Sequence, residues 1–241
     1  MRKFILYGLA LLLAAVVSCV LAAAALWLLD SLSLSLKKPA PETDVFGLEG
    51  ETYVEVEELP DAPTDTGTFT DERDSVIYKI TKIGGKAWMA ENLRYKTKKS
   101  WCYDDDTSNC GKYGRLYGWE TAKTVCPAGW HLPTRLEWLA LSEAVGGEEA
   151  TGKRLKAKSG WDENGNGNDW HGFSALPGGN RHPTDGDFSY AGSYGLWWTA
   201  TEYGEGGGSA YIRTMNYSDN DVGESYNGKG GGLSVRCVQD D

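Results

Sequence analysis

The chain has 241 residues, enough for one core domain with accessory segments. Its formal net charge of −10 argues against a general nucleic-acid binder and against a protein that binds anionic membrane surfaces. Glycine occurs 31 times and tryptophan 10 times. This composition predicts many turns, together with a core or a binding surface built from large rings.

An apolar run over residues 4–29 follows two basic residues at the N-terminus. It is longer than the roughly 20 residues that a membrane-spanning helix needs, so residues 1–30 are predicted to be an uncleaved signal anchor. Two alternatives remain open: a lipoprotein signal in which Cys19 is lipidated, and cleavage at the alanines of residues 22–24. All three place the C-terminal domain outside the cytoplasm, in a bacterial cell envelope.

Residues 31–66 combine four prolines with many acidic side chains. Low hydrophobicity and like charge predict an extended, disordered tether, with a transient strand over residues 52–57. The globular domain is predicted over residues 67–241.

A hairpin is predicted near the start of this domain. Residues 76–83 alternate between apolar and polar side chains, which is typical of a strand. Gly84-Gly85 is a hairpin turn signal, and residues 86–93 supply the return strand.

Two helices are predicted next. The first covers residues 113–126, because Trp119, Ala122 and Cys126 fall on one face at spacings of three and four. The second covers residues 135–145 and begins with a capping box of Thr134 and Glu137. The residues assigned to its core-facing side are Leu136, Leu139 and Ala140.

After residue 159 the chain becomes rich in glycine. Long loops are predicted over residues 161–170 and 176–183, after a short helical turn over residues 153–158. Strands are predicted over three further segments: 195–201, 210–215 and 232–238. The domain is therefore predicted as α+β, with two helices, a twisted, mainly antiparallel sheet and a long irregular loop region.

Four cysteines lie in the domain, an even number that suits disulfides in an exported protein. Three pairings are possible. Cys102–Cys110 with Cys126–Cys237 is the simplest, since the first two are near neighbours across a short loop. The competing interpretation is a zinc site with four cysteine ligands, which the lack of any CxxC spacing disfavours.

Seven segments carry a family resemblance: Gly67-Thr-Phe-Thr-Asp-Glu-Arg-Asp74, Trp88-Met-Ala-Glu-Asn-Leu93, Tyr113-Gly-Arg-Leu-Tyr117, Cys126-Pro-Ala-Gly-Trp-His-Leu-Pro-Thr134, Gly172-Phe-Ser-Ala-Leu-Pro-Gly-Gly179, Trp197-Trp-Thr-Ala-Thr201 and Ser234-Val-Arg-Cys237. With them, residues 67–241 resemble the Fibrobacter succinogenes major paralogous domain of bacterial surface and secreted proteins. The resemblance implies a C-type lectin-like fold and a bridge between Cys126 and Cys237. It implies no particular biochemical activity.

The predicted loop over residues 161–170 offers oxygen ligands for calcium. Its candidate ligands are Asp162, Asn164, Asn166 and Asp169. The first three stand at alternate positions, as at the start of an EF-hand loop, but position twelve is Phe173 instead of glutamate. An EF-hand is therefore excluded, and a polar loop of Asx turns is the competing interpretation. No other cofactor is indicated.

Six aromatic side chains are interpreted as a platform on which sugar rings stack: Trp161, Trp170, Trp197, Trp198, Tyr203 and Tyr211. Trp197 and Trp198 are neighbours on a predicted strand and must point to opposite faces. One of them therefore belongs to the core, and the other is expected to lie at least partly outside. Core or loop packing is the competing interpretation for the whole set.

The sequence contains few signs of catalysis. It has three histidines and no GxSxG, HExxH, Walker or dinucleotide motif. Residues 129–138 are similar to a motif of formylglycine-generating enzymes, which share the lectin-like fold. Those enzymes need a reactive cysteine pair near the C-terminal end, where this chain has Cys237 alone.

The leading hypothesis is a non-enzymatic binding or display domain, anchored in the bacterial envelope. It would bind a polysaccharide or a surface protein through the loops of residues 160–230. A structural module for protein assembly at the cell surface is the main alternative, and a lectin-fold enzyme is the third. No nucleic-acid partner is expected.

Overall fold

The computed structural model describes residues 65–204 and 206–241. All of them belong to one compact unit, Glu57–Asp241. The predicted anchor at residues 1–30, the candidate lipidation site Cys19 and nearly all of the predicted tether lie outside the described residues. Among the helices that the structure describes, none has the length and apolar character needed to cross a membrane.

The described part contains four α-helices: α1 (Thr107–Tyr113), α2 (Trp119–Ala122), α3 (Arg135–Ala144) and α4 (Glu148–Leu155). Its strands are β1 (Thr66–Asp71), β2 (Val76–Ile83), β3 (Lys86–Met89), β4 (Ser100–Trp101), β5 (Leu116–Tyr117), β6 (Trp130–His131), β7 (Gly178–Arg181), β8 (Phe188–Ala191), β9 (Tyr194–Tyr203), β10 (Ser209–Asn216), β11 (Gly223–Gly228), β12 (Leu233–Ser234) and β13 (Val238–Gln239). Two 3₁₀ turns cover Tyr103–Asp105 and Asp162–Asn164.

The strands form three sheets in an α+β arrangement. A five-stranded sheet has the order β1-β2-β3-β13-β6, a six-stranded sheet has the order β11-β10-β9-β12-β5-β4, and β7 pairs with β8. The strand pairs are antiparallel except for β12 and β9, which run parallel where Ser234 lies opposite Trp197. The C-terminal segment joins both larger sheets, because β12 belongs to one and β13 to the other.

The predicted hairpin is confirmed, with β2 over the expected residues and β3 as its return strand. The register pairs Ile83 with Lys86 across the turn. Gly84 and Gly85 have φ angles of 61° and 82°, which glycine adopts without steric cost. A two-residue hairpin turn of type I′ requires a positive φ angle at both of its central residues.

Strand β9 separates two hydrophobic cores. Trp198 packs with Tyr117 and Leu233 on one face. Trp197 packs with Trp138 and Phe173 on the other. The two tryptophans do point to opposite faces, but both are fully buried, so the expectation that one lies partly outside is wrong. Helices α3 and α4 and the loops that follow them supply the second core, which covers the Trp197 face of β9.

A buried polar network ties the two larger sheets together. The Asn92 Oδ1 atom accepts hydrogen bonds from Trp197 Nε1 at 2.9 Å and from Arg236 Nη2 at 2.9 Å. The Asn92 Nδ2 group donates to the Tyr113 carbonyl at 2.8 Å. Burial lowers the pKa of Arg236 to about 9, and its guanidinium lies 4.4 Å from the ring of Phe173. Asn92 and backbone carbonyls together accept the hydrogen bonds of this guanidinium, and among the described residues no carboxylate is hydrogen-bonded to it.

The first predicted helix, over residues 113–126, is wrong in extent. The segment instead contains β5 and the single turn α2, and a separate helix, α1, ends at Tyr113. Gly114 explains the break, because its φ is 78° and a Cβ there would lie 2.6 Å from the Asn92 Cβ. Trp119 and Ala122 are nevertheless buried, as the spacing indicated.

Helix α3 begins where the sequence predicted. The Thr134 hydroxyl accepts from the Glu137 backbone N–H at 3.2 Å, and the Glu137 carboxylate accepts from the Thr134 N–H at 2.8 Å. The assigned core-facing side is wrong, since Leu136 is 68% exposed and Leu139 is 37% exposed. The buried residues of this helix are Trp138, Leu141 and Ser142. The large Trp138 ring takes the core position instead.

Two further segments differ from their prediction. The helical turn expected over residues 153–158 is the last turn of α4, which begins earlier and ends at Leu155, so residues 156–158 are not helical. The expected loop over residues 176–183 contains β7, which pairs with β8. Glycines obscured this hairpin, because two of the four β7 residues are glycine and show no apolar alternation.

Both disulfides of the simplest pairing are present. Cys102 is bonded to Cys110, and Cys126 is bonded to Cys237. The second bridge spans 111 residues and joins the segment before β6 to the C-terminal segment. Cys237 belongs to the first core, and Cys126 packs against it.

Candidate ligand-binding face

Three tyrosines project from one face of the six-stranded sheet. They lie at the end of β9 (Tyr203), within β10 (Tyr211) and within β11 (Tyr226). Tyr211 lies opposite Tyr226, and Tyr203 lies opposite Ser209, two residues before Tyr211. Because alternate residues of a strand share a face, the register brings the three rings together. We call them the tyrosine platform.

The rings of the tyrosine platform contact one another. Tyr203 and Tyr226 stack with centroids 4.1 Å apart and an interplanar angle of 12°. Tyr203 and Tyr211 meet edge to face at 5.2 Å. Tyr226 is 55% exposed and Tyr203 is 39% exposed. The platform is therefore a pre-positioned aromatic surface that remains open to solvent.

Charged side chains border the platform. The Arg135 guanidinium, at the start of α3, lies 4.9 Å from the Tyr211 ring and donates from Nε to Glu224 Oε1 at 2.8 Å. The other Glu224 oxygen lies 2.8 Å from Arg213 Nη2. The Arg135 hydrogen bond and both cations lower the pKa of Glu224, against the partial burial that raises it. The carboxylate is thus held ionised between two arginines.

This arrangement offers two kinds of contact to a ligand. Aromatic faces bind apolar C–H surfaces, and a fixed guanidinium and carboxylate bind hydroxyl groups. Among the described residues, no cluster of three or more His, Cys, Asp or Glu side chains is placed to hold a metal ion. The face itself can offer a ligand stacking on aromatic rings and hydrogen bonds to charged side chains.

The structure brings together only two of the six predicted platform residues, Tyr203 and Tyr211. Trp161, Trp197 and Trp198 are buried in the two cores and present no ring face to solvent, so their assignment to a platform is wrong. Their indole N–H groups donate to Ala175 O, Asn92 Oδ1 and Tyr117 O, respectively.

Trp170 lies apart from the tyrosine platform. It is half-buried and stacks on His171 at 6.4 Å, with the Arg154 guanidinium 5.1 Å from its ring. Burial and the nearby Arg154 lower the pKa of His171. These contacts hold Trp170 against the loop that follows α4.

The candidate calcium ligands are engaged with different protein donors. Asp162 accepts from Ser193 Oγ at 2.8 Å, and Asn166 Oδ1 accepts from the Trp161 N–H at 3.0 Å. Asp169 accepts from both the N–H and the hydroxyl of Ser174. Asn164 has a φ of 61° in the 3₁₀ turn. One Asx turn is present beside these ligands, in which Asn168 Oδ1 accepts from the Trp170 N–H at 3.3 Å. Calcium binding at this loop stays a prediction.

The histidines and cysteines of the described part have structural partners. Both ring nitrogens of His131 face carboxylates, Asp240 at 2.6 Å and Glu137 at 2.9 Å. His182 lies 3.9 Å from Asp185. All four cysteines within the described residues form disulfides, so none of these four offers the free thiol that a formylglycine-generating mechanism requires.

Sequence reasoning missed Tyr226, Arg135 and Glu224. No strand was predicted over β11, because its glycine and polar residues lack an apolar alternation. A detectable signal was the spacing of Glu224 and Tyr226, two residues apart, which places both on one face of any strand. Arg135 was recognised only as the start of a helix.

The fold and its exposed face define a disulfide-bridged α+β domain with an aromatic surface between charged side chains. The family model of the Fibrobacter succinogenes major domain matches residues 81–239, and the chain belongs to this family. The matched span includes six of the seven resembling segments, and only residues 67–74 precede it. No curated protein and no solved structure matches the chain.

Proposed function

We propose that this protein is a non-enzymatic binding domain displayed outside the cytoplasm, and that the tyrosine platform binds carbohydrate. The observation that carries the proposal is the stacked pair Tyr203–Tyr226, open to solvent and bordered by Arg135 and Glu224. Sugar rings present flat C–H faces to aromatic rings and hydroxyl groups to charged hydrogen-bonding side chains.

An extracytoplasmic location is part of the proposal. The two disulfides support it, because such bonds persist in oxidising compartments. The apolar run over residues 4–29 supports a membrane anchor, with lipidation of Cys19 or cleavage as the alternatives. We also propose a C-type lectin-like fold, supported by the antiparallel sheets, the helices and the long-range bridge Cys126–Cys237.

Carbohydrate binding is tested with the full chain in detergent micelles, applied to a glycan array and to insoluble cell-wall polysaccharides. We expect selective retention on a subset of neutral glycans. Retention that free monosaccharide or oligosaccharide displaces supports the proposal. Absence of binding to every glycan and to cell-wall material would reject the carbohydrate assignment.

A protein-assembly role is the second candidate, and the exposed apolar side chains of α3 favour it. Leu136 is 68% exposed and Leu139 is 37% exposed on one helix. If this role is correct, Leu136→Glu abolishes capture of a discrete surface protein, and capture is insensitive to added sugar. The same variant leaves glycan retention unchanged if the tyrosine platform is the binding face.

A further inference from the structure

A groove on the other sheet carries a concentration of positive charge. Its first half, about 200 Å³, is lined by Lys79, Arg94 and Lys112 together with one carboxylate, Glu91. Three cations against one anion leave an excess of two positive charges. The chain as a whole has a net charge of −10, so this groove is electrostatically unlike the rest of the molecule.

The single carboxylate is already engaged. Glu91 accepts from the Lys79 backbone N–H at 2.7 Å and from Arg94 Nη1 at 3.3 Å. Within the described part of the chain, no carboxylate lies within 4.0 Å of the amine of Lys79 or Lys112. The Lys112 amine lies 4.5 Å from the centre of the Tyr113 ring. Neither lysine is therefore neutralised by one of the described carboxylates before an anion binds.

The groove continues past Lys79 into a second half of about 520 Å³. Lys79, Ala90 and Ser174 line both halves, so the two are contiguous. The second half adds the hydroxyl-bearing Thr68 and the small Gly172, without an acidic residue in its lining. A volume of this size accommodates a small-molecule ligand or a short stretch of polymer.

We propose that this groove binds a carboxylated polysaccharide, such as a chain of uronic acids. An extended groove with lysines along one half and hydroxyl groups along the other fits a linear chain that carries both carboxylates and hydroxyls. The end of α1 that borders the groove is its C-terminal end, at Gly111 and Lys112. A helix C-terminus exposes backbone carbonyls and not the N–H groups that bind phosphate, so the charge contacts to an anion in this groove come from its lysine and arginine side chains.

This groove is separate from the tyrosine platform. Its lining comes from β1 and β2 of the five-stranded sheet, from the segment after β3, from the end of α1 and from residues 172–176, whereas the platform lies on β9–β11. The inference takes from the proposed function only that the ligand is a carbohydrate. Variants in the two places therefore separate the two proposals.

The probe is polygalacturonate, with its methyl-esterified form as the uncharged control and polyphosphate as the phosphate polymer. Binding to the full chain is measured by titration calorimetry. We expect Lys79→Gln/Lys112→Gln to weaken polygalacturonate binding about tenfold, as the loss of two solvent-exposed ion pairs implies. Lys98→Gln/Lys158→Gln removes the same charge from exposed lysines outside the groove and is expected to leave binding unchanged.

Each outcome decides the assignment. Binding of polygalacturonate but not of its ester, weakened only by the groove variant, supports it even if neutral glycans fail to bind the platform. Equal loss in both lysine pairs, loss with Tyr226→Ala, tighter binding of polyphosphate, or no binding of polygalacturonate overturns it.

Discussion

At the scale of single residues, Asn92 holds together elements that are far apart in the chain. Its amide accepts from Trp197 of β9 and from Arg236, and donates to the Tyr113 carbonyl. Arg236 is buried, with an Asn oxygen and backbone carbonyls as its partners. One neutral side chain and several backbone carbonyls thus solvate this buried cation.

We expect Asn92→Ala to lower the free energy of unfolding by about 3 kcal/mol, because it removes the only side-chain acceptor, among the described residues, of a buried guanidinium and the acceptor of a buried indole N–H. Urea denaturation of the purified chain measures this change. Asn220→Ala, at an exposed position, is the matched control and is expected to cost less than about 0.5 kcal/mol. Equal effects of the two variants would contradict the role assigned to Asn92.

His131 lies between two carboxylates and responds to pH. Partial burial acts to lower its pKa, but the hydrogen bonds with Asp240 and Glu137 outweigh burial and raise the pKa above its ordinary value of 6.5. A raised pKa in the folded state means that the protonated ring stabilises the fold. This contribution is complete below the unfolded pKa and is lost as the pH rises through the folded pKa.

We therefore expect His131→Gln to destabilise the protein more at about pH 5 than at about pH 8.5. Lys86 contacts Asp241 and Glu137 and stays charged at both values, so it does not produce the difference. Thermal unfolding of both proteins at the two pH values measures it. A destabilisation independent of pH would show that His131 acts only by packing.

The residue scale also shows where sequence reasoning about the site fails. Tryptophan and tyrosine both occur in cores and on binding surfaces, so residue type did not separate Trp198, which is buried, from Tyr226, which is exposed. The outcome depends on what covers each face of β9. Both faces are covered at Trp197 and Trp198, and the alternation of side chains along a strand does not reveal this tertiary packing.

At the scale of elements, the sequence predicted those helices and strands whose ends are set by residues close to them in the chain. The β2–β3 hairpin follows from alternation and the Gly84-Gly85 turn, and α3 follows from its capping box. The short strands β5, β6, β12 and β13 were not predictable individually, since each has two residues and exists only through its partners. The exposed side of α3 was assigned wrongly because one large ring, Trp138, outweighs two leucines in the core.

The capping box of α3 provides a test at this scale. Thr134→Ala removes the acceptor for the Glu137 N–H, and we expect it to lower the free energy of unfolding by about 1 kcal/mol. Thr184→Ala changes an exposed loop threonine and serves as the control. Chemical denaturation compares the two, and a Thr134→Ala protein as stable as the wild type would show that the cap is dispensable.

At the scale of the whole molecule, two disulfides of very different span frame the domain. The Cys126–Cys237 bridge has a sequence separation of 111, against 8 for Cys102–Cys110. In the chain-entropy model, the long bridge contributes about 5 kcal/mol and the short one about 2.5 kcal/mol. From the sequence this pairing was the simplest of three, and the family resemblance implied the Cys126–Cys237 bridge. The effect of each bridge on stability depends on the fold.

We expect Cys126→Ser/Cys237→Ser to lose roughly twice as much free energy of unfolding as Cys102→Ser/Cys110→Ser. Urea denaturation of the two double variants under non-reducing conditions measures the difference. If the short bridge proves the more important of the two, restriction of the unfolded chain is not the main source of stability.

The central claim is that the tyrosine platform is the binding face, and a matched pair of tyrosine variants tests it most directly. Tyr226 is 55% exposed on the platform, and Tyr190 is 56% exposed elsewhere, beside Tyr194. With a glycan that the wild type retains, we expect Tyr226→Ala to weaken binding by about 1–2 kcal/mol, or roughly tenfold, and Tyr190→Ala to leave it unchanged. Unchanged affinity in Tyr226→Ala, or equal loss in both variants, would contradict the account.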